Sequence, residues 1–319
     1  MLIGSKETTK EAIKMNPWIS AARPRTLPLA LSGLLAGNAM ALSACLQANR
    51  PLRWDVALLS LATAVALQVL SNFANDLGDT ENGADNLGRI GPQRAVQAGL
   101  LTRSQMRGGV IIMAVVSLLL GIFLLFQAFG SINSSFIQFL FLGVGAIFAA
   151  LLYTWGKKPY GYAGLGDLSV FLFFGPTAVL GSYALHGLPI GHISVWFAAF
   201  AIGFCAVAVL NLNNMRDREN DGLAGKKTIP VRMGQRFAFR YHTLLVGNAV
   251  GLYIAMLFPL AALRPWLLLV LFPIYLLMKD LKPILMVKDP VDFDPFLKST
   301  ALKTFFIVVL FSIGLMISR

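Results

Sequence analysis

Apolar and polar residues are segregated along this chain in long blocks, not interleaved. Uncharged runs cover residues 27–46, 56–74, 108–132, 134–156, 168–185, 194–213, 241–263, 265–278 and 304–318. Most reach the ~17–25 residues with which a helix crosses a ~30 Å hydrocarbon layer. The two shortest, 265–278 and 304–318, are expected to borrow flanking turns, with Arg264 and Lys303 snorkelling to the interfaces. The pattern predicts an all-α, polytopic membrane protein with nine transmembrane helices. Residues 1–25 hold Lys6, Lys10, Lys14, Arg23 and Arg25 without an apolar signal core. They are expected to form an interfacial leader on the cytoplasmic side, ahead of one nine-helix domain over 26–319.

Composition removes the soluble alternative, because only 13% of residues are charged and 56% are hydrophobic, against roughly 25% charged in a soluble domain. A net charge of +12 would suit a nucleic-acid partner, but its placement points to topology instead. With the N-terminus in the cytoplasm, 23 of the 27 Lys and Arg fall on cytoplasmic segments, leaving Arg50, Arg53, Arg264 and Arg319 outside. That asymmetry is the positive-inside bias of a multi-pass protein. It predicts the cell (inner) membrane as location, the lipid bilayer as partner and no nucleic acid. Of the 15 Asp and Glu, only Asp55 falls outside. Acids contribute little to orientation, so their one-sidedness places the chemistry at the cytoplasmic face.

The acids concentrate in two long polar segments, and these resemble each other. One reads Asn72-Phe-Ala-Asn75-Asp76-Leu-Gly-Asp79, with Asp85 beyond; the other reads Asn213-Asn214-Met-Arg216-Asp217-Arg-Glu-Asn-Asp221. On a helix, Asn72, Asp76 and Asp79 form one stripe, and Asn213, Asp217 and Asp221 form another. Clustered carboxylates repel, and hard Mg²⁺ takes a few of them while water and phosphate oxygens complete its shell. Two facing stripes would hold Mg²⁺ against a diphosphate. Arg89, Arg94, Arg216, Lys226 and Lys227 lie nearby and suit phosphate oxygens. The cluster Tyr153-Thr-Trp-Gly-Lys157-Lys158-Pro159-Tyr160-Gly161-Tyr162 reads equally as an interfacial aromatic belt or as a cover for that site. Asp167, at the start of the fifth run, reads as a functional group or an interfacial cap. Cys45 and Cys205 lack metal-ligand spacing and read as packing residues, and the three histidines pair with no acid or cysteine. A secondary transporter, the rival class, would carry ionisable groups deep in its spans. The nine runs contain no Asp, Glu, Lys or Arg.

The two Asp motifs resemble those of the UbiA superfamily of intramembrane aromatic prenyltransferases. Ala22-Arg23-Pro24-Arg25-Thr26-Leu27-Pro28, the stretch from Asp85 through Arg89 and Arg94 to Gly99, and Gly225-Lys226-Lys227-Thr228 resemble its menaquinone-pathway branch. In that branch the third Asp of the first motif stands at Asp85, and Gly83 occupies the place where other branches carry it. A departure is Lys157-Lys158, where the branch has Gly-Pro. The resemblance implies nine helices around a central cavity with a cytoplasmic cap. It implies Mg²⁺ held by Asn72, Asp76, Asp79, Asn213, Asp217 and Asp221, with the four aspartates catalytic. It implies a polyprenyl diphosphate and an aromatic acceptor, 1,4-dihydroxy-2-naphthoate, joined with loss of CO₂. Arg23, Asp85, Arg89, Arg94, Tyr153, Lys157, Lys158, Arg216, Lys226 and Lys227 are the substrate-binding candidates. The same fold with another acceptor, such as 4-hydroxybenzoate, is the near alternative.

Overall fold

The computed structural model describes residues 16–317 except 87 and 263, so positions 1–15 of the expected leader lie outside the described residues. Helix α1 (Pro17–Ala22) starts on Asn16, whose side chain accepts the Trp18 N–H, and stops at Arg23 in the left-handed region (φ 49°). It packs on the second long helix, with the Trp18 ring 5.5 Å from Phe73. A 3-10 turn (Pro24–Thr26) leads into α2 (Leu27–Gln47), followed by α3 (Trp54–Glu81), α4 (Arg103–Phe129) and α5 (Ser134–Leu152). The Thr102–Gln105 pair forms a reciprocal capping box that starts α4 sharply.

The fifth apolar run is not one smooth helix. A π turn (Gly161–Leu165), α6 (Gly166–Leu172), a second π turn (Phe173–Thr177) and α7 (Ala178–Ala184) follow one another. Pro176 lies inside the second π turn, where its missing N–H prevents a regular α ladder. Then come α8 (Ile193–Arg216), the short α9 (Arg218–Leu223) and α10 (Ile229–Met233), and the long α11 (Gln235–Ala261). A 3-10 turn (Pro265–Val270), α12 (Leu271–Lys279), α13 (Leu281–Leu285) and α14 (Phe293–Ile317) complete the described chain.

Eight described helical segments are long and apolar enough to cross a membrane. The ninth predicted run, 265–278, is divided between the 3-10 turn and α12. The exterior is apolar, with Phe141, Phe258 and Phe272 exposed, an arrangement stable against lipid and costly against water. Polar residues instead join helices inside. Asn38 donates to Ser60 Oγ at 2.9 Å, and the Asn38 side-chain oxygen lies 2.9 Å from His186 Nε2, the polar bonding expected between membrane helices.

Packing falls into two main blocks. One gathers α2, α7, α8, α11, α12 and α14 around Ile202, Tyr253, Leu267 and Phe311. The other gathers α1, α3, α4 and residues 95–101 around Leu70, Leu77 and Met106. The first block is close-packed because α2 presents Gly33 and Gly37 to α7. A Cβ on Gly37 would lie 2.3 Å from the Val179 carbonyl oxygen, so the helices approach to backbone distance.

Candidate active site

A cavity of about 770 Å³ is lined by α2–α9 and the start of α14. Its deep walls are apolar, formed by Leu34, Leu67, Ile122, Leu125, Phe139 and Ile147 among others. Its other end is built from the residues that follow α3 and α8, and there charge is concentrated: Asp79, Asp85, Arg89, Arg94, Asp217, Asp221 and Lys226.

The wall supplied by α3 runs Ala64, Gln68, Ser71, Asn75 and Asp79, a helical succession that places Asn72 and Asp76 on its shoulder. Those two side chains hold neighbouring backbone. Asn72 donates to the Ala22 carbonyl at 2.8 Å and to Thr26 Oγ1 at 3.2 Å, tying the α1–α2 turn down. Asp76 is fully buried and accepts the N–H groups of Ala95 (3.0 Å) and Val96 (3.3 Å), fixing the segment after Arg94. Asp79 alone of the first motif's predicted stripe faces the cavity. It accepts a hydrogen bond from the Tyr162 hydroxyl and pairs with Arg94 at 2.5 Å.

The second motif bends where the first is straight. Its helix α8 ends at Arg216, Asp217 leaves helical geometry (φ −92°, ψ 8°), and α9 restarts at Arg218. The bend keeps Asn213, Asp217 and Asp221 on the cavity wall together. Lys226 Nζ lies 3.3 Å from Asp79 and 3.3 Å from Asp221, so one ammonium bridges both motifs. It also sits 4.8 Å over the Tyr162 ring.

Arginines join the remaining parts. Arg89 pairs with Asp85 at 2.6 Å, and Arg94 reaches Asp85 at 3.2 Å while donating to the Asn75 carbonyl. Buried Arg216 grips Asp217 with two hydrogen bonds (3.0 and 2.7 Å), donates to Asn213 at 2.8 Å and pairs with Asp294 of α14. Gly91 rests on that guanidinium, where a Cβ would come within 2.6 Å of Nη2. Asn220 donates to the Ala84 carbonyl at 2.8 Å, so the two polar segments meet over the charged end. Arg23 also lines the cavity, and its buried Nη2 has no hydrogen-bond partner.

Burial shapes the charges. It pushes the Asp85 carboxyl up from its ordinary pKa against the pull of Arg94 and Arg89. It pushes Asp221 up against Lys226 and holds Arg89 below the usual guanidinium range, helped by Arg94.

Not every predicted residue reaches the site. Tyr153 lines the cavity, edge-on to Tyr160 at 5.4 Å. Lys157, Lys158 and Lys227 are exposed and stand outside the lining. The Lys227 N–H donates to the Tyr162 carbonyl at 2.9 Å, which turns the chain and leaves its side chain in the open. Asn75 and Asp294 are not among the residues the sequence singles out, and Tyr162 is named there only within a cluster read as a belt or a cover. Asn75 lay in the motif but off the predicted stripe, Tyr162 lay in the aromatic cluster, and Asp294 had no local signal.

The donor set suits a hard divalent cation. Asp79, Asp217, Asp221 and Asn213 offer oxygen ligands to one space, and the Lys226 ammonium between Asp79 and Asp221 shows that a positive charge is accommodated there. As they stand, no three Asp, Glu, His or Cys side chains among the described residues converge closely enough to hold an ion.

A cavity with a head of paired carboxylates and cations and an apolar body, enclosed by membrane-spanning helices, defines an intramembrane protein with a site shaped for an amphiphile. Residues 34–285 match the UbiA prenyltransferase family, and the chain belongs to it. The chain is similar to a 1,4-dihydroxy-2-naphthoate octaprenyltransferase of Escherichia coli (strain K12), 40% identical over 98% of this chain and 99% of the relative. It is 38% identical to the protein of the same description from Mycobacterium tuberculosis, over 89% of this chain and 91% of that one. Among solved structures, a UbiA homolog from Aeropyrum pernix K1 has a TM-score of 0.62 at 17% identity, covering 92% of this chain and 96% of its own. A UbiA homolog from Archaeoglobus fulgidus bound to DMAPP and Mg2+ has a TM-score of 0.57 at 17% identity, covering 93% and 99%. These two share the fold.

Proposed function

We propose that the protein transfers a polyprenyl chain from polyprenyl diphosphate to 1,4-dihydroxy-2-naphthoate with loss of CO₂, giving demethylmenaquinol, the reduced form of demethylmenaquinone, with Mg²⁺ at the carboxylate cluster. The observation that carries this reading is one cavity whose charged head joins both Asp motifs to arginines and a lysine, and whose body is apolar. The names of the full-length relatives support the acceptor. The 23-to-4 distribution of basic residues supports a cytoplasmic site and N-terminus in the cell membrane.

Asp79, Asp217 and Asp221, with Asn213, would hold Mg²⁺. When bound, the ion neutralises diphosphate charge and makes it a better leaving group. Arg89, Arg94, Arg216 and Lys226 stabilise the negative charge that develops as the allylic C–O bond breaks. Their ion pairs with the carboxylates pre-position them and keep a buried head group balanced in the meantime. The apolar walls take the isoprenoid, each buried methylene contributing about 0.8 kcal/mol. Arg94, one of the substrate-binding candidates, is already engaged by Asp79 and Asp85. Arg23, which lines the cavity with an unpartnered buried Nη2, is the cation assigned to the acceptor's carboxylate.

The test is incubation of membranes holding the protein with a polyprenyl diphosphate, Mg²⁺ and either naphthoate or 4-hydroxybenzoate. The expected product, identified by mass, is the prenylated naphthalene, and label in the acceptor's carboxyl is released as CO₂. Retention of that label, or faster turnover of 4-hydroxybenzoate, overturns the assignment.

A further inference from the structure

Six aspartates line the cavity: Asp79, Asp85, Asp167, Asp217, Asp221 and Asp294. Five are ion-paired, to Arg94 and Lys226, Arg89 and Arg94, Arg216, Lys226, and Arg216 respectively. Asp167 alone has no cationic partner among the described residues, and its one side-chain hydrogen bond is a long one, 3.4 Å from the Tyr241 hydroxyl.

Its setting differs in kind from the charged head. Asp167 stands at the first turn of α6, just after a π turn. Around it are hydroxyls and rings in place of guanidinium groups. Gly166 lies under the Tyr153 hydroxyl, where a Cβ would come within 2.7 Å. The Tyr160 hydroxyl lies 2.9 Å from Ser169 Oγ and donates to the Ala149 carbonyl at 2.9 Å. Tyr153, Tyr160 and Asp167 line the same cavity as the charged head, with the Tyr153 ring edge-on to Tyr160 at 5.4 Å. A carboxylate held in a cavity without a counter-cation attracts a hydrogen-bond donor that arrives with the ligand. An aromatic acceptor with ring hydroxyls is such a donor, and the Tyr153 and Tyr160 rings offer it a wall.

We propose that Asp167 is the catalytic base for the acceptor, taking a hydroxyl proton from the ring as the ring carbon attacks the isoprenyl group. This rests on the aromatic-acceptor reading given above. As the new carbon–carbon bond forms, the C–O bond to diphosphate breaks and its electron pair leaves with the diphosphate. The hydroxyl proton passes to an Asp167 oxygen, and the ring oxygen becomes a ketone beside the carbon that bears the carboxylate. That β-keto carboxylate loses CO₂, the bonding pair returns to the ring oxygen, and the ring oxygen takes its proton back from Asp167. The cycle consumes no net proton and no electron, and the aspartate is regenerated as a carboxylate. A base within such a site contributes roughly 10²–10⁴ in rate.

The test compares wild type, Asp167→Asn and Asp167→Glu in membranes. Asp167→Asn is expected to lower kcat by roughly 100-fold with the KM for polyprenyl diphosphate unchanged, and Asp167→Glu to recover at least about tenfold of that loss by restoring a base. An Asn variant within about threefold of wild type, or a Glu variant no better than Asn, overturns the proposal. The wild type supplies a check that does not depend on any variant folding. Of two acceptor mono-methyl ethers, each blocking one hydroxyl, one is expected to be inert and the other to react. Equal turnover of both rejects proton transfer to a single positioned base. Should the wild type prenylate 4-hydroxybenzoate and not naphthoate, the naphthoate assignment falls by itself. Asp167 is then judged by the same variants on that phenol.

Discussion

Asp76 and Asp79 are three positions apart on one helix, yet they face different work. Asp79 shares Lys226 with Asp221 and Arg94 with Asp85, so Asp79→Ala leaves both cations with another partner. Asp76 satisfies two backbone N–H groups that have no substitute acceptor. Asp79→Ala is therefore expected to lower turnover more than 100-fold and raise the Mg²⁺ requirement, with little change in thermal stability. Asp76→Ala is expected to cost about 1–3 kcal/mol of stability from the two unsatisfied donors. It should keep the wild-type Mg²⁺ dependence in whatever activity remains. Thermal unfolding in detergent beside a Mg²⁺ titration separates the two; equal Mg²⁺ shifts would return Asp76 to the metal site. Arg23 permits a second prediction at this scale. Arg23→Leu should raise KM for the acceptor about tenfold or more and leave KM for the diphosphate unchanged, because it removes ground-state binding of one substrate only. A larger effect on the diphosphate would move Arg23 to the phosphate end.

Between elements, the segment after α3 and the bend after α8 are made into one surface by contacts that no single motif contains. Arg216 is the junction: it reaches within its own motif to Asn213 and Asp217, across to α14 through Asp294, and beneath Gly91. A methyl group at Gly91 would collide with a guanidinium fixed by three side chains, so the neighbour cannot give way cheaply. Gly91→Ala is expected to reduce kcat by about tenfold with insertion and folding intact, whereas Gly99→Ala, which meets no atom within 4 Å, strains only its own left-handed backbone and should keep more activity. Steady-state rates of the two variants decide this, and equal losses would show that Gly91 matters for its backbone alone.

For the whole molecule, the question is how the charged end lies relative to the membrane. Basic residues favour the cytoplasm for it. Both native cysteines, Cys45 and Cys205, are buried and free, so a thiol added at an exposed site reports with little background. Lys157→Cys is expected to react only with reagent delivered to the cytoplasmic side, and Arg50→Cys only from outside. Labelling of both positions from the same side would overturn the nine-span topology. Both positions precede the 265–278 run, whose split into a 3-10 turn and α12 leaves eight long apolar helices among the described residues, so the labelling tests the first four spans.

The sequence by itself determined the membrane fold, because charge-free runs have only one solvent in which they are stable. It also determined that chemistry gathers where two Asp motifs leave their helices, since such carboxylates need cations. Helical spacing put Asn72 and Asp76 on a common stripe with Asp79, but spacing states only which residues share a face, not which way that face turns. Tertiary packing decided that α3 shows Asn75 and Asp79 to the cavity and turns Asn72 and Asp76 toward Ala22 and the 95–96 backbone. Lys157 and Lys158 looked like neighbours of the site because they lie in the aromatic cluster, and Lys227 because it follows the second motif, yet all three stand at the surface, Lys227 beside the turn where its N–H meets the Tyr162 carbonyl. Asp294 and Asp167 went the other way. Asp294 has no local pattern, and Asp167, at the start of its run, reads equally as a functional group or a cap; each joins the cavity because helices distant in sequence pack side by side, a fact no window along the chain contains.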